Sequence, residues 1–305
     1  MLRLGLIGSG RWGKVYLRTI RGMAPRLRVT GVATSRPKDS WKELVDSPLN
    51  DAVIIATPAP LHAAMARRCL ERGKPCIVEK PLCFDVRTAR DLQRRAEKAR
   101  LPVLVNHIHL HNPAYRALKR AVLASGEKIR AVLSEGMDLG PFRPDVGTLW
   151  DRCPHDVALC VDLLGPGAKP DAFGGLPDRK GQPERVTLSL RWKNGAAAWI
   201  QSGRLSAQKK RTLTVVTDST LFHWDDQAEV RCRKIPFDYS RRMGLGSAPL
   251  PKGAKEIPVP AGPTPMEAML AAFADEVQQR KPASGLRPTV EVTRILEQCQ
   301  RALSS

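Results

Sequence analysis

Over the first third of the chain, short uninterrupted apolar runs alternate with segments whose apolar residues recur every three or four positions. The runs are LRLGLIG (2–8), LRVTGVAT (27–34), DAVIIAT (51–57), KPCIVEK (74–80) and LPVLVNH (101–107). Rich in Val and Ile and unbroken by polar alternation, they predict strands buried on both faces. Helical spacing covers 11–23, 40–46, 60–72 and 85–99, the last with Asp85 as its cap ahead of Val86 and Ala89. Strand and helix in repeated order predict parallel pairing through right-handed crossovers, a doubly wound α/β domain.

Beyond a helix predicted over 113–125 the period changes. Residues 128–138 and 184 to about 235 read as strands joined by turns, with KNG at 193–195 as a hairpin, and helices close the chain over 265–280 and 288–303. Segments 165–183 and 240–264, rich in Gly, Pro and Lys without a period, read as loops. The second half is therefore expected to be α+β, and the chain divides into domains at 1–113 and 114–305.

Composition adds constraints rather than a direction. With 305 residues, 42% hydrophobic, the chain has material for a real core. No 18 uncharged apolar residues follow one another and no cleavable leader opens the sequence, so neither a membrane span nor secretion is expected. Seven scattered cysteines without C-x-x-C spacing read as free thiols of a cytoplasmic protein. The formal charge of +20 favours anionic partners, nucleic acid, phosphorylated metabolites or sugar acids among them. The basic residues are spread along helix surfaces and no nucleic-acid motif accompanies them, so no specific nucleic-acid partner is expected.

The first sharp chemical signal is Gly8-Ser9-Gly10-Arg11-Trp12-Gly13, between the first strand and the first helix. In that context Gly8 permits a tight turn, Gly10 lets a pyrophosphate approach the backbone, and Gly13 lets helix and strand pack closely. The second strand ends in Thr34-Ser35-Arg36-Pro37-Lys38, a hydroxyl followed by two cations where an acid would select NAD. The reading is an NAD(P) site leaning to NADP, with Ser35 and Arg36 on the 2′-phosphate. At the third and fourth strand ends stand Thr57-Pro58 with His62, and Glu79-Lys80-Pro81, at the strand carboxyl ends where an open α/β sheet binds its ligand.

The ordered set GSGRWG, ATPAPLH, VEKP, NHIHLHNPAY (106–115) and GTLWDRCPHD resembles the glucose-fructose oxidoreductase and inositol dehydrogenase (Gfo/Idh/MocA) family over about the first 165 residues. The resemblance implies a Rossmann domain followed by a domain built on a large open, mostly antiparallel sheet. It also implies oxidation or reduction of sugars and polyols with a nicotinamide cofactor, and homo-oligomers, dimer or tetramer, joined through that sheet. Lys80 would then lie near the nicotinamide and the reacting oxygen, with its bond to Pro81 often cis in such proteins.

Pro154 is tolerated only in the first turn of a helix, which predicts a helix starting near Trp150 or Asp151 and ending at Gly165. By residue type alone, Asp151 is a cap and His155 a satisfied histidine. With the resemblance, the D-x-x-x-H pair presents an acid and a base to the substrate. Hydride transfer at an alcohol carbon needs a proton to leave or join the oxygen, and histidine titrates in the right range. The expected roles are His155 as acid–base, Lys80 as electrostatic stabiliser, and Asp151 as orienter. His107, His109 and His111 read as polar lining of the substrate side, with metal binding as the alternative. An inactive dinucleotide-binding sensor of the same fold is the competing reading of the whole chain.

Overall fold

The computed structural model describes residues 1–34, 41–142, 145–178, 181–237, 253–279 and 286–304. It forms two compact units, Met1–His111 with Pro263–Glu297, and Asn112–Gly262 with Gln298–Ser305. The first break falls within two residues of the expected boundary. The expected second domain, 114–305, is corrected: Pro263–Glu297 returns to the first unit.

In the first unit, β1 (Leu2–Ile7), α1 (Arg11–Gly22), β2 (Leu27–Ala33), α2 (Trp41–Asp46), β3 (Ala52–Ile55), α3 (His62–Glu71), β4 (Cys76–Val78), α4 (Val86–Ala99) and β5 (Val103–Val105) alternate as the pattern predicts. Short 3-10 turns precede α3, at Ala59–Leu61, and follow β5, at Ile108–His111. The sheet is parallel throughout, in the order β2-β1-β3-β4-β5. Asp85 caps α4 as expected, accepting from the Thr88 amide at 2.7 Å. Residues on alternate sides of each strand feed separate cores, which is why the runs are apolar without interruption. One core joins Val53, Ile55 and Val78 to α3 and α4; the other joins Leu4, Leu6 and Ile54 to Tyr16 and Ile20 of α1 and to Met269 and Phe273 of a later helix. That helix is one of the two that close the chain, and its apolar stripe completes the face that α1 alone leaves uncovered.

In the second unit, α5 (Pro113–Ser125), β6 (Ala131–Leu139), α6 (Thr148–Asp151) and α7 (Cys153–Leu164) precede β7 (Lys169–Pro177), β8 (Pro183–Arg191), β9 (Ala197–Gly203), β10 (Leu205–Val216), β11 (Thr220–Asp225), β12 (Cys232–Pro236) and β13 (Lys255–Glu256). The chain ends in α8 (Pro265–Gln278), which belongs to the first unit, and α9 (Leu286–Ser304), within which the division falls. The eight-stranded sheet runs β13-β12-β11-β10-β6-β9-β8-β7, antiparallel except for the β6–β9 pair. The KNG hairpin forms between β8 and β9, with Gly195 at positive φ and Asn194 accepting from the Ala196 amide.

Two loop expectations are corrected. Segment 165–183 contains β7, whose Gly174, Gly175 and flanking prolines hide its strand character, because no alternating β-branched residues mark it. The short β13 falls within 240–264, of which residues 240–252 lie outside the described residues. The helix expected from Trp150 to Gly165 is also two pieces, α6 and α7, parted at Arg152. Pro154 has no N–H for the Trp150 carbonyl and its ring crowds that carbonyl, so the chain breaks before re-entering a helix with Pro154 in its first turn.

Candidate active site

The carboxyl ends of the parallel strands carry the first group of expected residues. Gly8 has φ +100°, and a Cβ there would lie 2.4 Å from the Ala56 carbonyl oxygen; a Cβ on Gly13 would lie 2.1 Å from the carbonyl oxygen of Gly8. Neither position admits a side chain, as the close strand–helix packing requires. Around Gly10, by contrast, a Cβ would meet nothing within 4 Å. Gly10 starts α1 without a side-chain cap, and no acid stands in the first turn. Its amides and dipole end therefore suit an anion. Ser9 and Arg11 are exposed beside it, and Trp12 is packed partly into the core. This chain fits a dinucleotide pyrophosphate. Ser35 and Arg36, the expected 2′-phosphate residues, lie outside the described residues.

His62 is buried, with Nδ1 2.7 Å from the Pro81 carbonyl and Nε2 2.8 Å from that of Thr57. The ring ties the end of β3 to the turn after β4, while Pro58 is exposed at the loop between them. Glu79 turns inward: its Oε1 accepts from Tyr16 Oη at 3.0 Å and from Asn106 Nδ2 at 2.7 Å, and Asn106 also donates to Tyr16 Oη. Burial pushes the Glu79 carboxyl up from its ordinary range, against the lowering effects of Asn106 and Lys80. This carboxylate thus anchors the strand end from which Lys80 emerges, and the Lys80–Pro81 bond is cis, as the resemblance implied. Lys80 is 8% exposed.

His107 is buried, its Nε2 3.3 Å from the Thr289 hydroxyl of α9. Burial, with the charges of Lys80 and His111, lowers its pKa to about 4. His109 and His111 sit half-exposed in the following 3-10 turn, so the three histidines do not share one environment. Among the described residues no group of three or more His, Cys, Asp and Glu side chains is placed to hold a metal ion.

The second unit carries the D-x-x-x-H pair. Asp151 closes α6, and His155 stands half-buried in the first turn of α7. Asp151 Oδ2 accepts from Arg204 Nη2 at 3.0 Å; the same nitrogen donates to the Val146 carbonyl at 2.8 Å, and Arg204 Nη1 lies 3.7 Å from Glu184. Next to His155, the fully buried Asp156 accepts from Ser134 and Ser202 at 2.7 Å each and from Arg211 at 2.5 Å. A Cβ on Gly136 would come within 2.8 Å of both Asp156 and Arg211, so glycine makes room for this pair. Helix α7 is thereby bolted to β6, β9 and β10, which aligns the turn bearing His155. Sequence reasoning missed Tyr16, Arg204 and Arg211. Tyr16 lies on the apolar stripe of α1 and reads as core, whereas an arginine beside a strand reads as surface charge.

A model of the Gfo/Idh/MocA family, described as an oxidoreductase family with an NAD-binding Rossmann fold, matches residues 2–107. A solved structure from Magnetospirillum magnetotacticum MS-1, described as an oxidoreductase, superposes with a TM-score of 0.85 at 33% identity, over 98% of this chain and 99% of its own. The chain belongs to the Gfo/Idh/MocA family. This family member is an NAD(P)-dependent oxidoreductase, and its parallel sheet and larger mixed sheet are those expected of the family. It is 25% identical to the UDP-N-acetylglucosamine 3-dehydrogenase of Acidithiobacillus ferrooxidans, over 70% of this chain and 71% of that one. To inositol 2-dehydrogenase 1 of Mycolicibacterium vanbaalenii it is 37% identical, over 52% of this chain and 50% of the relative's length.

Proposed function

We propose that this enzyme interconverts a secondary hydroxyl and the corresponding carbonyl on a sugar or sugar-like compound. The reading is carried by Lys80, held at a strand end of the unit that bears the glycine loop, together with His155 in the first turn of α7. Relatives named for UDP-N-acetylglucosamine and inositol support a polyhydroxylated substrate. Gly8, Gly10, Gly13 and the start of α1 would hold the cofactor pyrophosphate, with Thr57 and Pro58 beside it, and Ser35 and Arg36 favour NADP. The nicotinamide, when bound, supplies the hydride acceptor or donor. His155 takes the proton from the substrate hydroxyl or returns it to the carbonyl oxygen, since an alcohol is far too weak an acid to ionise unaided. The Lys80 ammonium stabilises charge developing on that oxygen. Asp151, tied to Arg204, holds the turn from which His155 starts. His109 and His111 line the substrate side. The open face of the eight-stranded sheet joins copies of the chain.

The test is a screen of sugars, sugar acids and sugar nucleotides with NAD+ and NADP+, followed at 340 nm. H155N and K80A should bind NADPH as the parent does while losing at least about a hundredfold in turnover. Parental turnover in both would refute the assigned roles.

A further inference from the structure

Three arginines gather where α6 meets α7, and they are not equivalent. Arg204 has Asp151 and Glu184 in contact, and Arg211 has Asp156. Arg152, the residue between the two helices, makes no ion pair among the described residues; its Nη2 donates to the carbonyl oxygen of Gly140, a neutral acceptor, in the turn after β6. It is nevertheless half-buried, and burial lowers its pKa, with Asp151 and Asp138 opposing that and Arg211 and Arg204 adding to it. A guanidinium carries five donors in a fixed fork suited to a carboxylate or a phosphate. Partly desolvated and bound by one carbonyl, it has donors left for an anion. Arg152 also stands at the junction directly before α7, whose first turn bears His155, and the His155 amide donates to the Arg152 carbonyl at 3.2 Å. The start of α7 beside it has no side-chain cap, and the acid of its first turn, Asp156, is already taken up by Arg211.

We infer that Arg152 reads a negative charge on the substrate, a carboxylate or phosphate that it binds while His155 exchanges a proton with the nearby hydroxyl. The inference rests on the reading of His155 as the acid–base residue, and it narrows the substrate to an anionic sugar, either a sugar acid or a sugar phosphate ester such as a sugar nucleotide. Asp138 is the residue that could instead draw Arg152 into an ordinary internal pair, so a measurement of charge selectivity decides between the two.

Two matched pairs separate the possible anions: D-glucuronate against D-glucose, and UDP-N-acetylglucosamine against N-acetylglucosamine. Binding is measured by titration calorimetry with NADP+ saturating, and turnover at 340 nm. The parent should bind one charged member at least about tenfold more tightly than its neutral partner, with the preference shrinking as salt is raised. R152Q should reduce that preference by about tenfold to a hundredfold, and R152K should restore part of it. Melting temperatures of both variants separate loss of recognition from loss of fold; should R152Q not fold, R152K is read alone, and an undiminished preference in it overturns the assignment. The assignment is also overturned when neither pair shows a charge preference in the parent, or when folded R152Q keeps it. H155N separates the two readings: with turnover lost and charge preference kept, both stand, whereas parental turnover in H155N removes the acid–base reading and leaves Arg152 to be judged on binding.

Discussion

A single buried imidazole gives this enzyme a measurable acid sensitivity. His107 has its pKa lowered from 6.5 to about 4, first by burial and then by Lys80 and His111. An unfolded chain takes up the proton near pH 6.5, whereas the folded one refuses it until about pH 4, so the unfolded state binds more protons in that window. Stability is present above pH 6.5 and is lost as the pH falls towards 4. At pH 5 the loss is about 2 kcal/mol. Urea unfolding at pH 7 and pH 5 should therefore show a smaller decrease for H107Q than for the parent, by about that amount, and equal decreases would contradict it. Asp156 makes a larger claim. D156A strands the buried Arg211 guanidinium and two serine hydroxyls, and should cost about 3–5 kcal/mol in the same measurement. The Tyr16 hydroxyl bridges Glu79 and Asn106, and Y16F should cost about 1–2 kcal/mol.

At the level of elements, the glycine loop separates folding from binding. G13A drives a Cβ into the backbone of Gly8, which no rotamer change relieves, so stability should fall by about 1–3 kcal/mol. Gly10 has φ −68° and open space about its Cβ position, so G10A should stay within about 0.5 kcal/mol of the parent. Its methyl group occupies the approach proposed for the pyrophosphate, and NADPH titration should show at least about a tenfold loss of affinity. Unchanged NADPH affinity in G10A would remove the loop from the cofactor site. The α6–α7 break was half legible: Pro154 announces a helix start, but the separate short helix α6 before it, tied through Asp151 to Arg204 and through Thr148 to Glu184, leaves no signal in the local sequence.

The whole molecule raises the question of assembly. One face of the eight-stranded sheet carries α7; the other exposes Leu133 opposite Trp199, with Phe173 further along. Among soluble chains such a row commonly marks an interface. The proposed homo-oligomer is tested by light scattering: L133E/W199E should be a monomer with the parent's melting curve, and an unchanged mass would place the interface elsewhere. The +20 charge belongs to this scale as well: it attracts anions over long range at low salt, and added salt screens that attraction.

The alternation of apolar runs and helical stripes determined the parallel sheet, its helices, and the glycine loop and Lys80 at strand carboxyl ends, and Pro154 placed His155 near a helix start. Periodicity reports which face of an element is apolar, and short-range chemistry reports turns and caps; both are local and survive in the sequence. Which apolar face covers which is not local. Only the tertiary structure assigned α8 and the first part of α9 to the parallel sheet, made a strand of the glycine-rich β7, and turned Glu79, Asp151 and Asp156 inward to Tyr16, Arg204 and Arg211, because a buried charge is tolerated only beside a partner that sequence distance conceals.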